Sequence, residues 1–410
     1  MPRSPAWIAS LLVALASLAA LGLAAAADDT AEPCCSQEDL GPGELRPGIF
    51  DCCPDCRETR IYRSEILGRL WVRGEYLSWA IKGQEFPPLV TASLPGTASE
   101  DTGVLGRPGT HVLFGDEEIG TGMRPGGRLT GGFWWHPDQM GGIEASYFEL
   151  DEQERAFSAG RGPLLIARPY FNVNTLRQDS LLVQHPDVVN GSVSVSAAST
   201  FNGADVLLRH VVSYGDWYRV DVMGGYRYSR LDDDLRVIES LDPLPDVGVH
   251  VDALDLFNVE NEFHGAEAGA VMRWRAKYVG LQLLGKFAMG STTSKVTIDG
   301  GTATTTSSQP GALLALPTNI GCYSSTGFSA IEELGISMDL WLTCNCRAMF
   351  GYTLIYWSNV ARVADQIDLA VNPSQIPPGT LSGPPRRPTF DLKTTDFWAQ
   401  GLNIGLEYQF

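Results

Sequence analysis

The chain has 410 residues and a formal net charge of −18 at pH 7, with 48 acidic and 30 basic side chains. This charge argues against nucleic acid as a partner, because phosphate binding needs a basic surface that releases counterions. The 44 glycines, 25 prolines and 10% aromatic residues indicate an ordered chain with many turns and exclude a disordered one.

Residues 1–27 have the pattern of a cleaved Sec-type signal peptide. Arg3 precedes an apolar stretch, Trp7–Leu23, and the alanines that follow predict cleavage after Ala26 or Ala27. The alternative, an uncleaved membrane helix, is disfavoured because the apolar stretch is short for a bilayer. No later apolar run is long enough for a spanning helix, so membrane insertion would have to use strands.

Residues 28–68 are predicted to be a periplasmic extension rich in cysteine. An exported protein meets an oxidising compartment, so disulfides within the chain or to other envelope proteins are expected. The C-x-x-C spacing of Cys53 and Cys56 leaves metal binding as an alternative, although no histidine lies near. Cys322 falls in a predicted outer loop and is not expected to join the others. The disulfide candidates are Cys34, Cys35, Cys52, Cys53, Cys56, Cys344 and Cys346.

The segment 69–410 repeats amphipathic stretches with a period of two, as strands with two different faces do. In the clearest stretch, Val222 and Tyr226 share one face while Arg219 and Asp221 share the other. A strand of an outer-membrane barrel turns such an apolar face to lipid and the charged face to the lumen. We predict strands at 70–82, 126–135, 141–154, 192–212, 217–238, 257–273, 278–298, 328–341, 346–357 and 397–410.

The predicted connections alternate between short and long, which separates a barrel from a soluble sandwich. Short turns are predicted at 136–140, 213–216, 274–277 and 342–345, and long loops at 83–125, 155–191, 239–256, 299–327 and 358–396. The sequence therefore predicts an all-β fold: one antiparallel up-and-down transmembrane β-barrel of about ten strands, with short periplasmic turns and long outer loops. Twelve strands are the alternative if part of 164–173 adds a hairpin.

The last strand has the pattern of a barrel-assembly signal. Gly405, Tyr408 and Phe410 have the spacing that the barrel-assembly machinery is expected to bind, whereas Leu402 stands where a polar residue is usual. The alternative is an ordinary edge strand of a soluble domain, but an exposed apolar terminal strand promotes aggregation in water.

Several long stretches share the pattern of one known family. They include WVRGEYLSWAIKG from Trp71, GVLGRPGTHVLFG from Gly103, GALLALPTNIGCYS from Gly311, GYTLIYWSNVARVADQIDLAVNPSQIP from Gly351 and the terminal TTDFWAQGLNIGLEYQF. In these stretches the chain resembles an outer-membrane β-barrel family found mainly in planctomycete bacteria. The resemblance covers nearly the whole chain from Trp71 onward and implies a barrel in the bacterial outer membrane. It carries over no catalytic residues.

The sequence gives little support to catalysis, a metal or another cofactor. Its six histidines show no H-E-x-x-H spacing, and no G-x-S-x-G motif occurs. The most suggestive group is a set of aspartates around His250, which we interpret as a solvated outer loop that holds divalent cations weakly. The aspartates are Asp232, Asp233, Asp234, Asp242, Asp246, Asp252 and Asp255. We therefore expect that the protein is not an enzyme, with an outer-membrane hydrolase as a minor alternative.

Aromatic residues recur near the predicted strand ends, where barrels carry interfacial girdles. Ordinary core packing is the alternative for each of them. The candidates are Trp71, Trp79, Trp134, Trp135, Trp217, Tyr218, Tyr352, Tyr356, Trp357 and Trp398.

Ten strands predict a narrow lumen, because eight strands enclose only side chains and porins need about sixteen. The first functional hypothesis is a structural or surface-binding barrel that lies in outer-membrane lipid. Its outer loops would contact lipopolysaccharide, surface layers or neighbouring cells. The alternative is a passive porin-like channel for small solutes. Charges expected to face the lumen and cross it as ion pairs are Arg73, Glu75, Glu144, Arg219, Asp221, Arg227 and Lys286.

Overall fold

A computed structural model describes residues 69–160, 162–244, 248–276, 278–343, 345–377 and 384–410. The predicted signal peptide and the extension 28–68 lie outside the described residues. The strands in chain order are β1 Leu70–Ile81, β2 Gln84–Phe86, β3 Val90–Ser93, β4 His111–Phe114, β5 Glu117–Ile119, β6 Arg124–Trp134, β7 Gly141–Gly160, β8 Leu165–Asn172, β9 Arg177–Gln184, β10 Val189–Tyr214, β11 Tyr218–Pro243, β12 Val251–Ala276, β13 Val279–Thr304, β14 Ser308–Pro310, β15 Gly321–Trp341, β16 Cys346–Ala361, β17 Ala370–Val371 and β18 Thr394–Gln409. Short 3-10 helices occupy Ala364–Gln366 and Pro373–Gln375.

Ten of these strands form one closed antiparallel barrel. The hydrogen-bonded order is β12, β11, β10, β7, β6, β1, β18, β16, β15 and β13, and pairing between β12 and β13 closes the ring. The first strand therefore pairs with the last, Trp71 opposite Gln409. The prediction of a ten-stranded antiparallel barrel is confirmed. Among the described residues, no helix combines the length and apolar character that crossing a bilayer requires.

The barrel wall has unequal height. β10, β11, β12 and β13 have 26 residues each, whereas β1 has 12 and β6 has 11. A transmembrane strand needs only about 9–11 residues, so the long strands extend well beyond a bilayer. We call the two ends of the barrel the short-turn end and the long-loop end. Several predicted outer loops were too long because the strands continue into them: β12 already begins at Val251, and β15 at Gly321.

In the half of the barrel near the short-turn end, the outward face is apolar and the inward face is charged. On β13, Leu283 and Phe287 are exposed outward, while Gln282 and Lys286 are buried inward. β11 repeats the arrangement, as parity along a strand requires. This band of outward apolar side chains has the polarity of a surface in contact with lipid hydrocarbon.

In the half near the long-loop end, the polarity is reversed. Farther along β13, Lys295 and Asp299 are exposed outward, while Val296 and Ile298 are buried inward with about 1% exposure or less. The wall here has a polar outer face and an apolar inner face, as a soluble barrel does. A strand with this pattern buries its apolar side chains only if something fills the barrel.

The loops fill that space and form what we call the loop cap, residues 82–123, 162–188, 305–320 and 362–393 where described. Its apolar side chains, such as Phe114, Ile166 and Leu314, pack in one core with inward residues of the long strands, such as Val237 and Val296.

The predicted alternative of twelve barrel strands was wrong. β8 and β9 do form a hairpin, but β8 pairs with β3 in a separate sheet of the loop cap instead of entering the wall.

Candidate functional site in the barrel interior

The structure places the predicted lumen charges in one layer at the short-turn half of the barrel. Arg73 is half-buried, and the other six, Glu75, Glu144, Arg219, Asp221, Arg227 and Lys286, are at most 9% exposed. Each has an oppositely charged neighbour, as buried charges require. Sequence reasoning did not select most of these partners, although they occupy inward positions of the same parity: Arg128, Asp205, Arg209, Glu267, Glu333 and Glu407.

Several ion pairs cross the lumen between strands that are not neighbours in the sheet. The Arg227 guanidinium on β11 lies 2.7 Å from the Glu333 carboxylate on β15. The Lys286 ammonium on β13 lies 3.0 Å from Asp205 on β10. The space left beside these groups is about 30 Å³, enough for only one or two water molecules. The charged layer therefore closes this part of the lumen.

A second layer, made of aromatic rings, lies directly above the charged layer. Its six rings, from six different strands, are Trp79, Phe148, Phe201, Phe263, Trp357 and Phe397, and none is more than 4% exposed. Phe201 has a ring-centroid distance of 5.1 Å to Phe148 on the neighbouring strand and of 4.9 Å to Phe397 across the barrel interior. The indole N–H of Trp79 donates to Asn403 and that of Trp357 to Thr292, so both polar atoms are satisfied. We call this set the aromatic layer.

The aromatic layer corrects part of the predicted interfacial girdle. Trp79 and Trp357 have no exposed surface and point inward, because they share strand parity with inward residues such as Leu77 and Ile355. Trp71 and Trp134 are also buried, at 6% and 5% exposure. Among the other candidates, Trp135, Trp217, Tyr352 and Tyr356 are exposed, and Tyr218 and Trp398 are half-buried.

Buried ion pairs attach the loop cap to the inner face of the upper wall, the half of the barrel near the long-loop end. Arg168 of β8 pairs with Glu239 on β11 and, at 2.7 Å, with Asp255 on β12, and all three are almost fully buried. The other Asp255 oxygen accepts backbone N–H bonds from Leu314 and Ala315. One cluster therefore joins two loops to two wall strands.

His250, at the outer rim between β11 and β12, is held by two carboxylates. Its Nδ1 lies 2.7 Å from Asp242 and its Nε2 lies 3.1 Å from Asp252. The hydrogen bond that the imidazole donates to Asp242 raises the pKa of His250, and the charge of Asp252 adds to the effect. The predicted cation-binding loop is corrected in part, since Asp232 and Asp234 lie on β11. Within the described ranges, no three His, Cys, Asp or Glu residues are placed to hold a metal ion.

The structure describes only part of the predicted cysteine set. Cys346 is a half-buried free thiol at the start of β16, and Cys322 is an exposed free thiol at the long-loop end of β15. Cys34, Cys35, Cys52, Cys53, Cys56 and Cys344 lie outside the described residues. The disulfides stay a prediction.

The predicted assembly-signal residues lie where the barrel closes. Gly405 pairs with Glu75, and a Cβ at this glycine would lie 2.7 Å from the Gly74 carbonyl oxygen, so the close approach of β18 to β1 requires glycine. The Tyr408 and Phe410 rings pack edge to face with centroids 5.2 Å apart. Recognition by the assembly machinery stays a prediction.

Comparison with known proteins finds one family. The sequence profile of the family described as Putative beta barrel porin-7 matches residues 71–410. Comparison with curated proteins gives no match.

Among solved structures, similar chains include the outer membrane protease OmpT from Escherichia coli, with 10% identity, 86% of this chain and 100% of that chain covered, and a TM-score of 0.42. The translocator domain of the autotransporter NalP from Neisseria meningitidis has 9% identity, 86% and 92% coverage, and a TM-score of 0.25. A Pseudomonas aeruginosa FadL homologue has 8% identity, 83% and 90% coverage, and a TM-score of 0.21.

Proposed function

The chain belongs to the Putative beta barrel porin-7 family of bacterial outer-membrane β-barrels, and from that premise we propose that it is a closed barrel with a structural and surface-binding role. In this proposal the long-loop end faces the cell exterior, as long loops of such barrels do. The protein acts through the surface of its loop cap and upper wall, not by conducting solutes.

The observation that carries the proposal is the closure of the interior at three successive levels. Ion pairs such as Lys286–Asp205 cross the charged layer, aromatic rings fill the next layer, and the loop cap packs against the upper wall. A hydrated ion passing through would have to separate buried ion pairs and then enter an apolar layer. Both steps are costly because buried charges lose their partners and ions lose their water.

Conductance tests the proposal. The full mature chain, refolded and inserted into planar bilayers, should give no stable single-channel steps, whereas a sixteen-stranded porin in the same bilayers should give them. A protein-free detergent blank controls for leaks. Regular steps that scale with the number of inserted molecules would contradict a closed barrel and establish the passive channel in its place.

We propose further that the protein is not an enzyme. The most suggestive group supports this, because both ring nitrogens of His250 are engaged by carboxylates and Ser240 Oγ lies 3.4 Å from Nε2, in competition with Asp252. An imidazole hydrogen-bonded on both sides is not free to take a proton from a hydroxyl. Incubating the refolded protein with generic peptide and ester substrates should give no turnover above that of a His250→Ala variant.

A further inference from the structure

A cavity of about 360 Å³ lies at the long-loop end, where the wall drops from β7 to the shorter β6. β6 begins at Arg124, whereas β7 continues to Gly160, and beyond Leu150 β7 pairs with β10 alone. The two-stranded β2–β5 sheet of the loop cap borders the cavity on the side that β6 leaves open. A volume of this size is typical of sites for small ligands.

Arg124 borders this cavity and differs from every other buried arginine that the structure describes. It is 2% exposed, and no carboxylate of the described residues lies within ion-pair distance of it. The remaining buried arginines, Arg128, Arg168, Arg209, Arg219, Arg227, Arg347 and Arg362, all have one. The nearby Asp233 acts on Arg124 only at longer range and is itself bound by Arg362. Burying a guanidinium with no carboxylate in contact is unfavourable, so a partner for Arg124 is expected from outside the chain.

The hydrogen bonds of Arg124 leave part of its guanidinium available. Its Nε donates to the Gln153 side-chain oxygen, one terminal nitrogen to the Ser199 carbonyl and the other to the Gly120 carbonyl. All three acceptors are neutral. A guanidinium has five N–H groups, so two remain for an anionic group in the cavity. The three existing hydrogen bonds fix the orientation of the planar guanidinium.

Two other cations that border the cavity are already paired. Arg362 lies 2.6 Å from Asp233, and Lys82 lies 2.9 Å from Asp396. Arg124 therefore supplies the excess positive charge on the inner side of the cavity.

The rim of the cavity carries mostly the opposite charge. Glu117, Glu118 and Glu154 are exposed there, with Arg155 as the exposed cation. A simple anion would be repelled by these carboxylates and by a chain of net charge −18. A molecule with an anionic and a cationic group matches both the inner side and the rim.

We propose that this cavity binds a small zwitterion, an amino acid or short peptide, with its carboxylate on Arg124 and its ammonium group at the acidic rim. The inference deepens the proposed surface-binding role and rests on it, because the cavity must open to the cell exterior to meet such a ligand. Binding by the isolated protein is tested separately from conductance, so the two proposals fail independently.

Calorimetric titration of the refolded full chain in detergent tests the site with three matched probes. They are L-alanyl-L-alanine, its carboxy-terminal amide and its N-acetyl form. The dipeptide should bind with saturable heat. The amide should bind roughly tenfold to a hundredfold more weakly, because it loses a charge-assisted hydrogen bond to a buried group. The N-acetyl form should also bind more weakly than the dipeptide.

Variants assign the binding to Arg124. Arg124→Gln should weaken binding as much as removal of the probe's carboxylate does. Arg124→Lys keeps the charge but not the planar guanidinium, so its affinity for the dipeptide should lie between those of Arg124→Gln and the wild type. Arg107→Gln, an exposed change elsewhere in the loop cap, should bind like the wild type. Unchanged unfolding temperatures without ligand show that the variants are folded.

Three outcomes would overturn the proposal. The first is no saturable heat with the dipeptide, and the second is equal binding of the dipeptide and its amide. The third is binding of acetate or phosphate as tight as that of the dipeptide, which would make the cavity a simple anion site. Channel steps in bilayers together with Arg124-dependent binding would reject the closed barrel and keep the zwitterion site.

Discussion

Arg168 lies between two carboxylates that are buried with it, Glu239 and Asp255. Replacing it by methionine leaves both carboxylates without their cation. We expect Arg168→Met to destabilise the loop cap by about 3–5 kcal/mol, the range for breaking a buried ion pair. Hydrogen exchange followed by mass spectrometry should show faster exchange in 162–188 and 305–320, with β1 and β18 unchanged.

The control for this prediction is Arg107→Met, which removes an exposed ion pair with Asp101. Its effect should stay within about 1 kcal/mol, because solvent screens exposed pairs. Equal exchange in the Arg168 variant and the wild type would show that the cluster does not fasten the cap.

The pKa of His250 should respond to its two aspartates. Asp242→Asn removes the negative charge of the acceptor in the hydrogen bond that contributes most to raising this pKa, so the pKa should fall toward that of an exposed imidazole. Because its pKa is raised in the folded state, His250 stabilises the folded protein at low pH, and this contribution is lost as the pH rises through that pKa. NMR titration of histidine-labelled protein measures the shift.

The His250 resonances of the wild-type protein, recorded under the same conditions, are the reference for that titration. A His250 curve that does not move in Asp242→Asn would show that the short contact between the two side chains does not persist in solution.

At the scale of elements, the aromatic layer gives a packing prediction. Phe201 on β10 is fully buried against Phe148 and Phe397. Phe201→Ala should lower the free energy of unfolding by about 3–5 kcal/mol, because the removed ring leaves a cavity in a layer held by a closed wall. Urea unfolding in detergent micelles measures it.

Val206 lies on the same strand but is 47% exposed on the outer face. Val206→Ala should therefore cost much less than Phe201→Ala. If the two variants lose equal stability, the rings of the layer are not packed as described.

The polarity reversal along β13 predicts where the membrane ends. Leu283 faces outward within the apolar band, and Thr297 faces outward beyond it, near Lys295. Leu283→Arg should cost about 2–4 kcal/mol, the value near a bilayer midplane, and Thr297→Arg close to zero. Unfolding of both variants in phospholipid vesicles gives the comparison. Similar losses of stability at the two positions would contradict a hydrocarbon boundary between Leu283 and Thr297.

Much of each strand was predictable, because a period of two is local information. Ten predicted strands overlap the ten barrel strands, and strand parity gives the inward positions of Arg227 and Lys286. The ends were less predictable beyond the apolar band, where β12 and β13 continue with reversed polarity. A search for apolar outward positions ends these strands too early.

At the scale of the whole molecule, what the sequence did not yield is long-range. Parity shows that Lys286 faces inward, but its partner Asp205 is 81 residues away, and no local pattern indicates the pair. The same holds for Arg124, since the absence of an ion partner is visible only once all surrounding strands are in place. Trp79 and Trp357 were predictable as inward by parity but were assigned by their proximity to strand ends.

The positions of two cysteines give a prediction for the molecule as a whole. Cys322 lies at the long-loop end of β15, while Cys346 begins β16 at the short-turn end. The strand between these ends rises roughly 60 Å at about 3.3 Å per residue, and a disulfide requires Cα atoms within about 7 Å. Non-reducing peptide mapping should find Cys346 linked, if at all, to Cys34, Cys35, Cys52, Cys53, Cys56 or Cys344, or to another protein. An intramolecular bond between Cys346 and Cys322 would refute the topology.

The polarity reversal of the wall also determines how deeply the protein sits in its bilayer. If the protein moved by two residues per strand toward its short-turn end, about 6–7 Å along β11 and its neighbours, residues such as Asp232 would approach the hydrocarbon. An equal movement toward the long-loop end would place Phe287 and Met289 in water. Both displacements are unfavourable on several strands at once. Where the bilayer is thicker or thinner than the apolar band, the lipids around the barrel must therefore stretch or compress, because the protein itself has one permitted depth.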